Sequence, residues 1–213
     1  MSLALVHVGP ATLPGCPEAV ATLLAAHGFD VATVGPGGER PLEADVLAGA
    51  ALYAQPGGGT LRHAWRHLRR HRRLLRGWVS DGGAYVGFCL GAYLAGRGPG
   101  LGLLPGDTDR YVTSPHATLD DADVDTLVDV HWRGHRRTLF FQDGARFTGP
   151  GGTDVLARYP GGEAAALVAA YGTGRVGVVG PHPEATADWF TDVGLPVHDA
   201  RDLAHDLVAT VTT

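Results

Sequence analysis

Over the first hundred residues, apolar positions change periodicity repeatedly. The runs LALVHV (3–8), FDVATV (29–34), AALYAQ (50–55) and AYVGF (84–88) are short, apolar and rich in β-formers, and each predicts a strand. Between them lie stretches whose apolar residues recur at helical spacing. PEAVATLLAAHG (17–28) carries Pro near its start and Gly at its end, as a helix should. Further helices are predicted around Leu42 to Leu47, over roughly Leu61 to Ser80, and from Leu90 to Ala95. Strands alternating with helices predict an α/β fold with a mostly parallel sheet covered by helices on both faces. In such sheets ligands bind beyond the carboxyl ends of the strands.

After residue 96 the pattern changes. Residues 97–160 are rich in Gly, Asp and Arg, with strand-like pieces TLVDVHW (126–132), RTLFFQDG (137–144) and DVLARY (154–159). They read as antiparallel hairpins appended to the parallel core rather than as a second domain, with Asp143-Gly144 as a hairpin turn. AAALVAAYG (164–172) follows. GRVGVVGPHPEAT (174–186) is then a last strand that breaks into a polar turn, and DLAHDLVATV (202–211) is a closing helix. No repeat or linker divides the chain, so residues 1–213 are expected to form one domain.

Composition narrows the function classes. The net charge of −5 argues against general nucleic-acid binding. No apolar run is long enough to span a bilayer, and MSLALVHVGP lacks the basic start of a signal peptide. The expectation is a cytoplasmic protein without membrane or nucleic-acid partners. All 17 basic residues are Arg, and Lys, Asn and Ile do not occur, which points to a GC-rich bacterial genome rather than to mechanism. Two cysteines, Cys16 and Cys89, in unlike settings make neither a disulfide framework nor a zinc motif.

Cys89 stands in GFCLG, between a strand and a helix. A tight turn there exposes the central side chain at a helix N-terminus, where the backbone dipole favours a thiolate. Buried structural cysteine is the competing reading. A nucleophile needs a base, and the base an orienting group. His182 and Glu184 in PHPEAT supply both if the segment is extended, because residues two apart then face the same way; a capped turn is the plainer alternative. Acyl transfer also needs donors for an oxyanion. The Leu90 amide is the natural first, and Gly58 in QPGGGT the second, with Gly57, Gly59 and Tyr93 expected beside the substrate.

Together these motifs resemble the class I glutamine amidotransferase-like superfamily, through the Pro-Gly-Gly turn, Gly-x-Cys-x-Gly and the late His-Pro-Glu. More narrowly, YVGFCLGAYLAG (85–96), RTLFFQDGARF (137–147) and VLARYPGGEAAALVAAYGTGRVGVVGPHPEAT (155–186) resemble the family named for the amino-terminal domain of biotin-protein ligases. The resemblance implies a flavodoxin-like fold and a cofactor-free, metal-free enzyme. It would hydrolyse or transfer a small-molecule or peptide amide through Cys89, His182 and Glu184. Glutamine-using members follow the second glycine with a polar pair ending in Gln, whereas Ala92 and Tyr93 follow Gly91 here, so a glutamine pocket does not carry over. A non-catalytic binding or regulatory module and a cysteine peptidase stand as alternatives. A homo-oligomer or a separate partner enzyme is left open.

The segment RHAWRHLRRHRRLLRGW (62–78) carries seven arginines opposite an apolar stripe of Leu61, Trp65, Leu68 and Leu75, and reads first as a solvated helix face. His63, His67 and His71 recur on it without a carboxylate or thiol, which argues against a metal site. His131 and His135 lie in a hairpin and need not face the same way. Trp132, Phe140, Phe141 and Tyr159 read mostly as packing, with some of them candidates to line a pocket if the hairpins overhang Cys89.

Overall fold

In a computed structural model, which describes residues 1–119, 121 and 123–213, the chain forms one mixed sheet between two helical layers. The parallel part comprises β1 (Leu3–His7), β2 (Asp30–Val34), β3 (Leu52–Gln55), β4 (Ala84–Phe88) and β11 (Gly174–Val179), in the order β2-β1-β3-β4-β11. The sheet continues antiparallel through β10 (Ala164–Tyr171), β9 (Asp154–Arg158), β6 (Thr126–Trp132) and β7 (His135–Phe141). The antiparallel region thus reaches Tyr171, past the expected limit near residue 160. Two short strands, β5 (Asp107–Arg110) and β8 (Ala145–Thr148), pair with each other, and β8 joins β10 at Ala164–Phe147.

Helices α1 (Cys16–His27) and α7 (Arg201–Thr212) cover one face; α2 (Ala44–Ala48), α3 (Leu61–Leu68), α4 (Arg72–Ser80) and α5 (Leu90–Ala95) cover the other. A further short helix, α6 (Ala187–Asp192), follows the polar turn. Strands β3 and β4 are buried along their whole length because both faces are covered. The helix expected over Leu61 to Ser80 is broken by a 3-10 turn at Arg69–His71. The break lets α4 turn so that Leu75 and Val79 are buried, while the charged residues stay outside. Two of its arginines are structural: Arg72 Nε and Arg76 Nη1 donate to the Leu101 carbonyl at 3.2 and 2.7 Å, pinning the chain beyond α5.

The expected hairpin turn at Asp143-Gly144 is not one. β7 pairs with β6, whereas β8 pairs with β5 and β10, so residues 142–144 carry the chain from one edge of the antiparallel region back towards the centre. Asp143 takes a left-handed φ of 44° in that crossing. This detour carries residues 142–143 over the carboxyl end of β4.

Candidate functional site

The carboxyl ends of β1, β3, β4 and β11 converge. Cys89 follows β4 directly, and its amide donates to the Val179 carbonyl at the end of β11 at 2.9 Å. Its φ of 47° lies in the region that non-glycine residues avoid, while its carbonyl accepts the Ala92 and Tyr93 amides and starts α5. The flanking glycines have a steric cause. A Cβ on Gly87 would stand 2.5 Å from the Gly91 carbonyl oxygen, and one on Gly91 would stand 2.0 Å from that of Gln55. The turn closes only because both lack side chains.

A buried polar network fixes the neighbouring loops. The Tyr53 hydroxyl donates to Gln55 Oε1 at 2.9 Å and lies 3.0 Å from His7 Nδ1, while Gln55 Nε2 donates to the Ala11 carbonyl at 2.9 Å. Thr12 Oγ1 then donates to the Gly57 carbonyl at 2.6 Å. The loop before α1 is thereby tied to the glycine turn after β3, where Gly58 takes a φ of 91° with Leu13 packed against it.

His182 is buried, and its Nδ1 lies 2.8 Å from Oε1 of the equally buried Glu184. The pair is held by a turn rather than the expected extended segment: the Ala185 amide donates back to the His182 carbonyl at 3.3 Å. The His182 amide donates to the Phe140 carbonyl at 2.9 Å, and the Phe140 and Trp189 rings stand edge-on to the imidazole. A Cβ on Gly57 would lie 3.0 Å from His182 Cε1 and 3.4 Å from Cys89 Cβ, so thiol and imidazole flank one glycine. Burial alone would lower the His182 pKa. The negative charges of an ionised Cys89 and of Glu184, with their hydrogen bonds to the ring, outweigh it and hold the imidazole well above its usual range.

A cavity of about 480 Å³ opens beside Cys89. Gly58, Gly59, Leu90 and Tyr93 line it, together with Leu13, Thr60 and Leu61; Gly57 sits behind this wall with His182 and Glu184. The lining also includes Arg110, Asp123, Gln142 and Asp143, none of which was singled out as a site residue from the sequence. The expected overhang of hairpins is instead made by the crossing after β7: Cys89 Sγ donates to the Gln142 carbonyl at 3.5 Å, and the Tyr93 hydroxyl donates to that of Asp143 at 3.0 Å. Trp132 faces elsewhere and donates to Asp206 on α7. Among the described residues no three His, Cys, Asp or Glu side chains converge as a metal centre requires, and no helix is long and apolar enough to cross a membrane.

Residues 5–98, from β1 to the end of α5, match the family model described as the N-terminal region of biotin-protein ligase. Among solved structures, a glutamine amidotransferase superposes over 100% of both chains with a TM-score of 0.70 at 18% identity. The fold is the one seen in solved glutamine amidotransferases. A Thermotoga maritima glutamine amidotransferase covers 99% of this chain and 98% of its own, with a TM-score of 0.66 at 14% identity. One from Methylobacillus flagellatus covers 99% and 89%, with a TM-score of 0.58 at 18% identity. No curated protein sequence matches the chain. Within this amidotransferase-like fold the biotin-protein-ligase match falls on the parallel half, which carries the glycine turn and Cys89.

Proposed function

We propose that the protein is a cysteine-dependent amide hydrolase or amidotransferase-like enzyme. The observation that carries this reading is the strained Cys89 beside the buried His182–Glu184 pair, at the mouth of a cavity. His182 takes the thiol proton, and Glu184 fixes the ring through Nδ1 so that Nε2 faces the chemistry. The thiolate attacks the amide carbon, and the amides of Gly58 and Leu90 stabilise the tetrahedral oxyanion. Collapse breaks the C–N bond as His182 returns the proton to the departing amine, leaving a thioester on Cys89. Water, deprotonated by His182, then releases the acid and restores the thiol; an amine in its place gives transfer.

The test is mass spectrometry after exposure to a diazo-oxo-norleucine and, separately, to a generic alkylator. Labelling of Cys89 that falls at least about a hundredfold in His182→Gln supports the assignment, since a general base contributes about that much. Labelling by the alkylator alone keeps the nucleophile and excludes a glutamine site. If neither reagent modifies Cys89, the enzyme reading fails.

A further inference from the structure

The segment from Leu61 to Ser80 contains seven arginines and no acidic residue. Arg72 and Arg76 are engaged by the Leu101 carbonyl. The other five, Arg62, Arg66, Arg69, Arg70 and Arg73, are all exposed. Arg62 and Arg66, four apart, share one face of α3; Arg69 and Arg70 follow in the 3-10 turn, and Arg73 stands in the first turn of α4. Among the described residues the Arg70 side chain donates only to its neighbour His71, and the other four donate to nothing. In the antiparallel half, by contrast, Arg133, Arg136, Arg137 and Arg146 each rest on an aspartate. The chain carries a net charge of −5, so this unneutralised ridge runs against its overall sign.

Arg73 also lines a groove of about 640 Å³ between α2 and α4. Ala44, Ala48, Leu74, Gly77 and Trp78 contribute to its walls, and Asp81 is its one acid among the described residues. Basic ridge and apolar groove therefore meet at Arg73. A nucleic acid would use the ridge and leave the groove empty, and beyond the ridge it would meet a chain that is otherwise strongly acidic. A bilayer surface calls for apolar side chains that protrude. The exposed large hydrophobic residues, Met1, Leu13, Val124, Val193 and Val197, all lie outside this segment, where the apolar surface is recessed. A groove between two helices takes the apolar face of a third, and a ridge of guanidinium groups along it takes carboxylates.

We propose that ridge and groove together dock an acidic, amphipathic helix of a partner protein. Its aliphatic side chains enter the groove between α2 and α4, and its carboxylates pair with Arg66, Arg69, Arg70 and Arg73. The proposal does not depend on the chemistry at Cys89. It does place the partner beside that chemistry, because Leu61, where α3 begins, lines the cavity next to the thiol.

The experiment titrates the full chain into a labelled synthetic helix with glutamates along one face and leucines along the other, read by fluorescence anisotropy. A peptide with serine in place of leucine keeps the charge and removes the apolar face. Oligothymidylate, by the same readout, and phosphatidylserine vesicles, by co-sedimentation, present other anions. The leucine helix is expected to bind at least about tenfold tighter than the serine peptide, as burial of one or two leucines implies. Arg66→Glu/Arg70→Glu should weaken it at least about tenfold. Arg136→Glu/Arg158→Glu, an equal charge change in the antiparallel half, should shift it less than about threefold at about 0.1 M salt, where distant charges are screened. A Cβ on Gly77 meets no atom within 4 Å, so Gly77→Trp keeps the fold, fills the groove and should cancel the leucine advantage. Equal binding of the two peptides, an unchanged leucine advantage in Gly77→Trp, or equal losses in the two charge variants overturns the proposal. So does binding of oligothymidylate or the vesicles as tight as that of the leucine helix. Sedimentation velocity of the chain alone tests the remaining occupant: a dimer that Arg66→Glu/Arg70→Glu dissociates makes it a second copy and also overturns the proposal.

Discussion

The parallel and antiparallel halves belong to one sheet, yet they meet its surroundings differently. β3 and β4 are buried end to end, and the turn after β4 leaves no space for a single added carbon at Gly87 or Gly91. β6 and β7 each carry exposed positions and are laced by solvent-facing ion pairs, to each other through Arg136–Asp129 and to α7 through Arg133–Asp206. Close backbone packing holds the Cys89 elbow and buried side-chain bonds tie down the glycine turn, whereas partly exposed side-chain bonds hold residues 142–143. A wall secured by side chains can be rebuilt by single substitutions without disturbing the elbow.

That contrast predicts a gradient of effects. Gly91→Ala should be the most damaging, since its Cβ would meet the Gln55 carbonyl oxygen at 2.0 Å and backbone cannot rotate away. A loss of about 3 kcal/mol or more is expected in urea unfolding; a loss below 1 kcal/mol would mean that the parallel half is not rigid in this sense.

The second expectation concerns pH. Burial, followed by the nearby His71 charge, lowers the His7 pKa to about 4. Unfolded, the same residue titrates near 6.5. Between these values the unfolded chain binds a proton that the folded chain refuses. The contribution is therefore fully present above pH 6.5 and is lost as pH falls towards 4, by at most about 3 kcal/mol. Asp129 in the antiparallel half behaves differently: Arg136 and then Thr138 hold its pKa below the usual value, so its contribution is lost only at more acid pH. Urea melts from pH 7.5 to 4.5 should show the first decline, and His7→Gln should flatten it; an unchanged slope would detach the effect from His7.

The smallest change is expected of Tyr93→Phe, which removes the hydroxyl bond to the Asp143 carbonyl and nothing else in that wall. About 1 kcal/mol of stability should be lost, with faster hydrogen exchange around residues 142–144. A cost equal to that of Gly91→Ala would erase the distinction between the halves.

How much of this was legible from sequence follows the same division. The β/α alternation, the elbow at Cys89 and His182-Pro183-Glu184 are local patterns, and local patterns can be read from neighbours along the chain. DTDR at β5 has no apolar alternation, because it is half-exposed and held by β8, more than thirty residues away. FFQDG looks like a hairpin turn because its local chemistry suits one; only the distant pairings of β8 make it a crossing. Arg69–His71 breaks a helix with neither Gly nor Pro, so no local residue type announces the break. Arg110, Asp123, Gln142 and Asp143 are therefore cavity residues that sequence does not announce, since only the fold brings them beside Cys89.

The left-handed backbone at Cys89 has a historical consequence as well. A glycine would occupy φ 47° without strain, whereas any side chain there carries a standing penalty of ~1–3 kcal/mol. Mutation that reached glycine would thus be rewarded by stability and opposed only by loss of the thiol. Descendants of this chain that dispense with the thiol should be recognisable by glycine at this position, a fossil of relaxed strain inside an otherwise unchanged fold.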